Sequence, residues 1–243
     1  TLANESVGHL RNLVEVWADR FDELGARPDV EYVLTFENRG DAVGVTLHHP
    51  HGQIYAFPYI PPIPAQELAA SRAHFEREGR CLGCDVMDEE RTDGRRVIYE
   101  DGHFIAFVPF FARFPYEVHV FPLAHRTSIT ELTDAERISL ARTLKAVLTK
   151  YDKLWGFPLP YMMVHHQRPT DGGDHDHYHF HIEFYPLHRT ATKLKYLAGT
   201  ESGAGTFIVD AAAETFAERL RAIAVNVNAG GDDDGTGEGG TGR

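Results

Sequence analysis

The chain has 243 residues and a formal net charge of −12, and it is 42% hydrophobic and 25% charged, the balance of an ordinary globular protein. No apolar run approaches the roughly 20 residues of a membrane span. The acidic balance argues against a nucleic-acid backbone as partner, while a small anion can still be held by local Arg, Lys and backbone donors. The start, Thr1-Leu2-Ala3-Asn4, carries neither an initiator Met nor signal-peptide features.

In chain order, Ser6 is a plausible N-cap, and Leu10, Leu13, Val14, Trp17, Phe21 and Leu24 share one face of a helix over 6–24 that Pro28 ends. Strands are expected at 31–37 and at 43–47, the second leading into a histidine-rich loop. A helix over 65–78 carries Glu67 in its first turn, and the charged stretch 81–95 reads as loop. Strands follow at 96–100, 103–108 and 116–122. A long helix over 134–154 presents Ile138, Leu140, Ala141, Leu144, Val147 and Leu148. Strands at 161–166 and 178–185 flank an Asp-Gly loop, a last helix covers 211–224, and the Gly- and Asp-rich tail 228–243 is expected to be disordered.

The stretch Leu47-His48-His49-Pro50-His51-Gly52-Gln53 is not a packing sequence. A neutral imidazole is a nucleophile near pH 7, provided its other nitrogen donates its proton to a fixed acceptor. Backbone stiffened by Pro50 can supply that acceptor. Gly52 admits a ligand close to the chain, and Gln53 offers an amide donor to phosphoryl oxygens. A metal-ligand cluster or an ordinary His-rich loop is the bland alternative.

An internal repeat organises the chain. Thr1 to Glu5, helix, strands and His49-Pro50-His51 are echoed by Ser128 to Leu132, long helix, strand and His179-Phe180-His181. Leu2 to His49 spans 47 positions and Ile129 to His179 spans 50. The second copy is preceded by Cys81-Leu82-Gly83-Cys84, three strands and His125; the first lacks that preceding half. The expectation is therefore a first repeat over 1–78 that begins part-way and a second over 79–227, the chain being either a fragment or one whose missing half-repeat is a separate polypeptide. Two thiolates spaced Cys-x-x-Cys, joined by His125 and His179, make a tetrahedral zinc set. Free thiols in a loop are the alternative. The cysteine pair points to the reducing cytoplasm rather than to a disulfide framework.

The run Phe36-Glu37-Asn38-Arg39-Gly40, then His49-Pro50-His51-Gly52-Gln53-Ile54, resembles the galactose-1-phosphate uridylyltransferase family of the histidine triad superfamily. His181-Ile182-Glu183-Phe184-Tyr185-Pro186 with Arg189-Thr190-Ala191-Thr192 carries a second resemblance downstream, and together they cover about Thr1 to Leu220. The resemblance implies an α+β fold of tandem histidine-triad-like half-barrel repeats, with antiparallel sheets flanked by helices. It implies UMP transfer from UDP-glucose to galactose 1-phosphate through a uridylyl-histidine at His51, with Gln53 as phosphoryl donor, in galactose metabolism. Asn38, Thr46 and His49 match nucleotide-side positions, and Lys195, Tyr196 and Glu201 match a stretch that holds the hexose phosphate. Thr200 and Phe207 depart from the usual Tyr and Gln there. The zinc set agrees with a similar site in family members. A second metal (Fe or Zn) is implied at Glu67, His166, His181 and Glu183, although the family often has histidine at the last position. For Glu67, a solvated first-turn carboxylate is the alternative. His175 and His177 read equally as ligands or loop residues. A homodimer, or a partner chain carrying the missing half-repeat, is expected. The competing readings are a nucleotide phosphorylase or hydrolase of the superfamily, which Gln53 disfavours, and a truncated non-catalytic subunit.

Overall fold

The computed structural model describes residues 1–45 and 49–228. Helix α1 (Val7–Gly25) starts where the Ser6 hydroxyl accepts the His9 amide at 3.0 Å, and it buries Leu10, Val14, Trp17 and Phe21. Strand β1 (Tyr32–Arg39) follows, pairing antiparallel with β2 (Gly52–Phe57). Helices α2 (Pro62–Glu78) and α3 (Leu82–Asp93) precede three strands, β3 (Val97–Glu100), β4 (Phe104–Phe107) and β5 (Val118–Pro122). Helix α4 (Asp134–Leu154) begins with a capping box, in which Thr133 and Glu136 satisfy each other's backbone amides. Strands β6 (Tyr161–His166) and β7 (His181–Pro186) come next, then a small hairpin of β8 (His188–Thr190) and β9 (Lys193–Leu194). Helices α5 (Gly199–Ala204) and α6 (Ala213–Arg221) end the described chain.

Seven strands form one antiparallel sheet in the order β2-β1-β6-β7-β5-β4-β3. The period-2 alternation of side chains divides its two faces by chemistry. Val33, Phe104, Ala106, Val118, Val120, Tyr161, Met163, Ile182 and Phe184 point to one face and join α1, α4 and α6 in the main core. The opposite face carries Ile105, Phe107 and Phe121, which pack with Met87 of α3. It also carries His119, His166, His181 and Glu183 at alternate positions. One face of the sheet thus builds the core, and the other presents titratable groups to α2 and α3.

One order of elements recurs along the backbone. A 3-10 turn (Leu2–Asn4) leads into α1, β1 and β2, and a second one (Ile129–Glu131) leads into α4, β6 and β7. The two copies meet where β1 pairs antiparallel with β6.

Several expected elements are corrected. The strand expected at 43–47 is a 3-10 turn at Asp41–Val43, because Gly40 and Gly44 take φ of 91° and 81° and turn the chain away. The second strand lies after the histidines, and residues 46–48 fall outside the described ones. The stretch expected to be loop at 81–95 is mostly helix. Its apolar content is small, but Val86 and Met87 dock on the sheet, and Gly94 ends α3 at φ 68°. Strand β7 begins at His181 rather than 178, and α6 is shorter than 211–224. Residues 229–243 of the tail lie outside the described ones.

Candidate active site and metal clusters

His51 stands at the mouth of β2, where Gly52 pairs with Glu37 of β1. Its Nδ1 lies 3.1 Å from the carbonyl of His49. A carbonyl only accepts, so Nδ1 carries the proton and Nε2 keeps its lone pair. His49, Pro50 and His51 line a cavity of about 270 Å³ together with Asn38 and Arg39 of β1. Gln53 accepts from the Tyr55 hydroxyl at 3.2 Å through Oε1, which leaves its amide N–H groups to donate elsewhere. Thr46 lies outside the described residues.

Sequence reasoning missed Glu37 and Arg39 at this cavity. Arg39 pairs with Asp152 at 2.7 Å and lies over the Tyr161 ring. Glu37 is buried, receives the Tyr161 hydroxyl at 3.1 Å, and is pushed above the usual carboxylate range by that burial. Both belong to the quoted run Phe36 to Gly40, so the signal was adjacency to Asn38.

The second copy repeats the ring geometry in a different setting. His181 Nδ1 lies 2.9 Å from the His179 carbonyl, so its Nε2 is likewise free. That nitrogen, however, sits in a buried cluster.

Cys81 at the start of α3, Cys84 in its first turn, His125 after β5 and His179 before β7 bring one ligand atom each within 4.8 Å of the others. Tetrahedral zinc, with Zn–S about 2.3 Å and Zn–N about 2.0–2.1 Å, sets S···N edges near about 3.5 Å. The observed edges are 3.4 Å (Cys84–His179), 3.5 Å (Cys84–His125) and 3.7 Å (Cys81–His179). His125 Nε2 reaches the Asp176 carbonyl at 2.9 Å and His179 Nε2 the Pro122 carbonyl at 3.1 Å, so both Nδ1 lone pairs turn to the sulfurs. Without an ion, the hydrogen bond from Cys84 pushes Cys81 down, and the same contact pushes Cys84 up. Two thiolates this close need a cation between them, and the donor set fits a zinc ion.

Glu67, His166 and His181 also place donors within 4.8 Å of one another. The four-residue set expected from the resemblance does not close around one ion. Glu67 Oε2 lies 2.9 Å from His166 Nδ1, whereas Glu183 Oε2 lies 3.3 Å from His166 Nε2. The two carboxylates therefore occupy opposite nitrogens of one ring, and one ion bound to that ring reaches only one of them. Burial works to lower His166, but Glu183 and Glu67 outweigh it and raise it to about 9. Glu183 is itself claimed by His119 at 3.2 Å and Arg113 at 3.1 Å, neither anticipated. The alternation Glu117, His119, Phe121 along β5 was the available signal for His119.

Lys195 and Glu201 are buried and tied to each other at 3.0 Å, whereas Tyr196 is 77% exposed; none of the three lines the His51 cavity. His175 is paired with Asp171 at 2.7 Å and His177 is buried; neither belongs to a donor cluster among the described residues.

Two family models cover nearly the whole described chain: galactose-1-phosphate uridyl transferase, N-terminal domain, over residues 1–61, and the C-terminal domain over 67–229. A galactose-1-phosphate uridylyltransferase of Thermotoga maritima is 42% identical over 90% of this chain and 68% of its own length. This chain belongs to the galactose-1-phosphate uridyl transferase family.

The uridylyltransferase of that name from Haemophilus influenzae is 38% identical over 88% of this chain, and the match spans 61% of the relative's length. The chain therefore spans roughly two thirds of the curated family members it matches. A solved uridylyltransferase structure superposes with a TM-score of 0.86 at 38% identity, covering 91% of this chain and 69% of that one. These relatives are nucleotidyltransferases by name, and their shared fold is the open antiparallel sheet flanked by helices found here. No described helix is long and apolar enough to cross a membrane.

Proposed function

We propose that the chain performs nucleotidyl transfer by double displacement, moving UMP from UDP-glucose to galactose 1-phosphate in galactose metabolism. The carrying observation is the hydrogen bond from His51 Nδ1 to the His49 carbonyl, which puts the proton of the neutral ring on Nδ1 and leaves the Nε2 lone pair for a ligand in the cavity that His51 lines. Nε2 attacks the α-phosphorus of UDP-glucose, the phosphoanhydride bond breaks, and glucose 1-phosphate leaves with the electron pair. A phosphate oxygen of galactose 1-phosphate then attacks the uridylyl-histidine. The P–N bond breaks, and its electrons return to Nε2. The His49 carbonyl accepts from Nδ1 throughout, so the positive charge that develops on the ring is stabilised without proton movement.

Gln53 donates its amide to the phosphoryl oxygens, a contact worth about 3 kcal/mol in comparable sites. Asn38, Thr46 and His49 attend the nucleotide side. Lys195 and Glu201 brace the segment that carries the exposed Tyr196, and this stretch, which lies outside the His51 cavity, is assigned to the hexose phosphate in the assembled homodimer. Zinc held by Cys81, Cys84, His125 and His179 supplies a cross-link, not chemistry. The working assembly is a homodimer, in the cytoplasm. The two repeats divide near residue 78.

The test is to incubate the chain with UDP-glucose labelled in the uridine. Wild-type protein should take up acid-labile, base-stable label, His51→Gly should take up none, and galactose 1-phosphate should discharge it as UDP-galactose. Folded wild-type protein that stays unlabelled, or that keeps its label after His51→Gly, refutes the reading.

A further inference from the structure

We propose that Glu37 is the buried counter-charge of the uridylyl-histidine, a positioning residue that acts through His51 by holding a negative charge beside its ring. The inference rests on the transferase reading and names what stabilises its covalent state.

Glu37 of β1 stands directly opposite Gly52 of β2, the residue that follows His51. It is 4% exposed, yet it lines two cavities, and His51 lines both as well. One is the cavity shared with Asn38 and Arg39. The other, of about 310 Å³, lies against α1, where Leu10, Leu13 and Trp17 form an apolar wall. Glu37 Oε2 receives the Tyr161 hydroxyl at 3.1 Å, and Oε1 receives no hydrogen bond among the described residues. Burial pushes the carboxyl up, while the Tyr161 hydroxyl, the Arg39 guanidinium and the His51 ring pull it the other way. Arg39 is shared with Asp152 at 2.7 Å, so its charge does not belong to Glu37 alone.

The two copies differ at this position. Gly52 corresponds to Ile182, since each follows the second histidine of its dyad. The residue opposite Ile182 is His165 of β6, buried with neither ring nitrogen hydrogen-bonded among the described residues. An acid thus stands beside the dyad in the copy that holds His51, and an imidazole in the copy whose His181 is shut into a cluster. That charge has a use in one state of the reaction. His51 keeps its Nδ1 proton on the His49 carbonyl throughout. When Nε2 bonds phosphorus and glucose 1-phosphate leaves with the electron pair, the ring becomes a cation. When galactose 1-phosphate takes the uridylyl group, the P–N electrons return to Nε2 and the ring is neutral again. A fixed carboxylate nearby favours the cationic state over the neutral one, and an apolar wall limits the screening of that attraction by water. The carboxylate is already in place in the free protein, so no rearrangement opposes its effect.

The test measures an equilibrium rather than a rate. Full-length chain is equilibrated at neutral pH with uridine-labelled UDP-glucose and glucose 1-phosphate at set ratios, and the labelled fraction gives the equilibrium constant for uridylylation. Glu37→Gln should lower that constant by about tenfold or more, and Glu37→Asp, which keeps the charge, by about threefold or less. A merely structural role predicts the reverse order, because glutamine keeps the length of the side chain and an acceptor for the Tyr161 hydroxyl, whereas aspartate shortens it. Should Glu37→Gln fail to fold, the same comparison is made between Glu37→Asp and Glu37→Asn, which differ only in charge. A labelled wild type whose constant is unmoved in Glu37→Gln, or equal in the Asp and Asn variants, overturns this inference alone. A folded wild type that takes up no label refutes the transferase reading and this inference with it.

Discussion

His51 and His181 show how far one side-chain geometry is shaped by its surroundings. Both rings give Nδ1–H to the carbonyl two residues earlier, at 3.1 and 2.9 Å. His51 is half-exposed at a cavity, whereas His181 is buried, stacks on Phe121 at 4.7 Å and faces Glu183. The same ring geometry lines a cavity in one copy and is shut into a buried cluster of titratable groups in the other. Glu201 shows the opposite case, a carboxylate that the sequence alone leaves free and the fold secures. The Lys195 ammonium at 3.0 Å, then the Thr200 hydroxyl at 2.9 Å and nearby backbone amides, hold it down to about 2. Its folded pKa is depressed, so the stability it adds is complete above the ordinary carboxylate range and is lost as pH falls toward about 2. Thermal melts should therefore place Glu201→Gln below wild type at pH 7, with the gap narrowing steadily below about pH 4.5. A gap that is constant or grows as the solution is acidified contradicts the pairing.

At the scale of elements, α3 is the piece whose existence depends most on its neighbours. Cys81 caps its N-terminus and Cys84 lies in its first turn, and Gly83 between them faces His179. A Cβ on Gly83 would lie 2.5 Å from His179 Cβ, closer than side chains approach one another. Alanine is the better helix former by about 1 kcal/mol. Overpacking a fixed contact costs about 1–3 kcal/mol, so the clash should win. Gly83→Ala is expected to lower Tm and to weaken zinc retention against a competing chelator. A variant with raised Tm and unchanged retention would show that α3 is free to slide.

For the whole molecule, the Cys81–Cys84–His125–His179 cluster ties together points far apart in sequence, since Cys84 and His179 are 95 residues apart. An ion bound only by the folded chain stabilises by mass action, about 4 kcal/mol when its concentration is a thousand times Kd. For a chain of this size that is roughly 10 °C in Tm. Stripping with a chelator should lower Tm by that order, zinc should restore it, and Cys84→Ser should be insensitive to both. A Tm that does not move while elemental analysis shows the zinc gone removes the cross-link from the account. The main core crosses the repeat boundary, with Val14, Trp17 and Val33 packed in the same cluster as Leu144, Val147 and Phe184. The repeats are therefore copies in pattern that share one interior.

Helices α1 and α4 and strands β1 and β3 to β6 were legible in the sequence. They rest on local periodicity and capping, which are properties of neighbouring residues. The grouping of Cys81, Cys84, His125 and His179 was legible too, because the repeat spacing selected His125 and His179 out of fifteen histidines. The family likeness was legible in two motifs. Helix α3 was hidden because its apolar face is only Val86 and Met87, and it needs the sheet to dock on. The partners of Glu183, the Lys195–Glu201 pair and the place of Arg113 were equally out of reach. Each joins residues through space across unrelated stretches, and a charge in sequence carries no record of which opposite charge the folded backbone sets beside it. Residue chemistry and local pattern were determined by the sequence itself; which carboxylates are free for a ligand and which are already taken was decided only by the tertiary structure, where burial removes the water that would otherwise serve every charge alike.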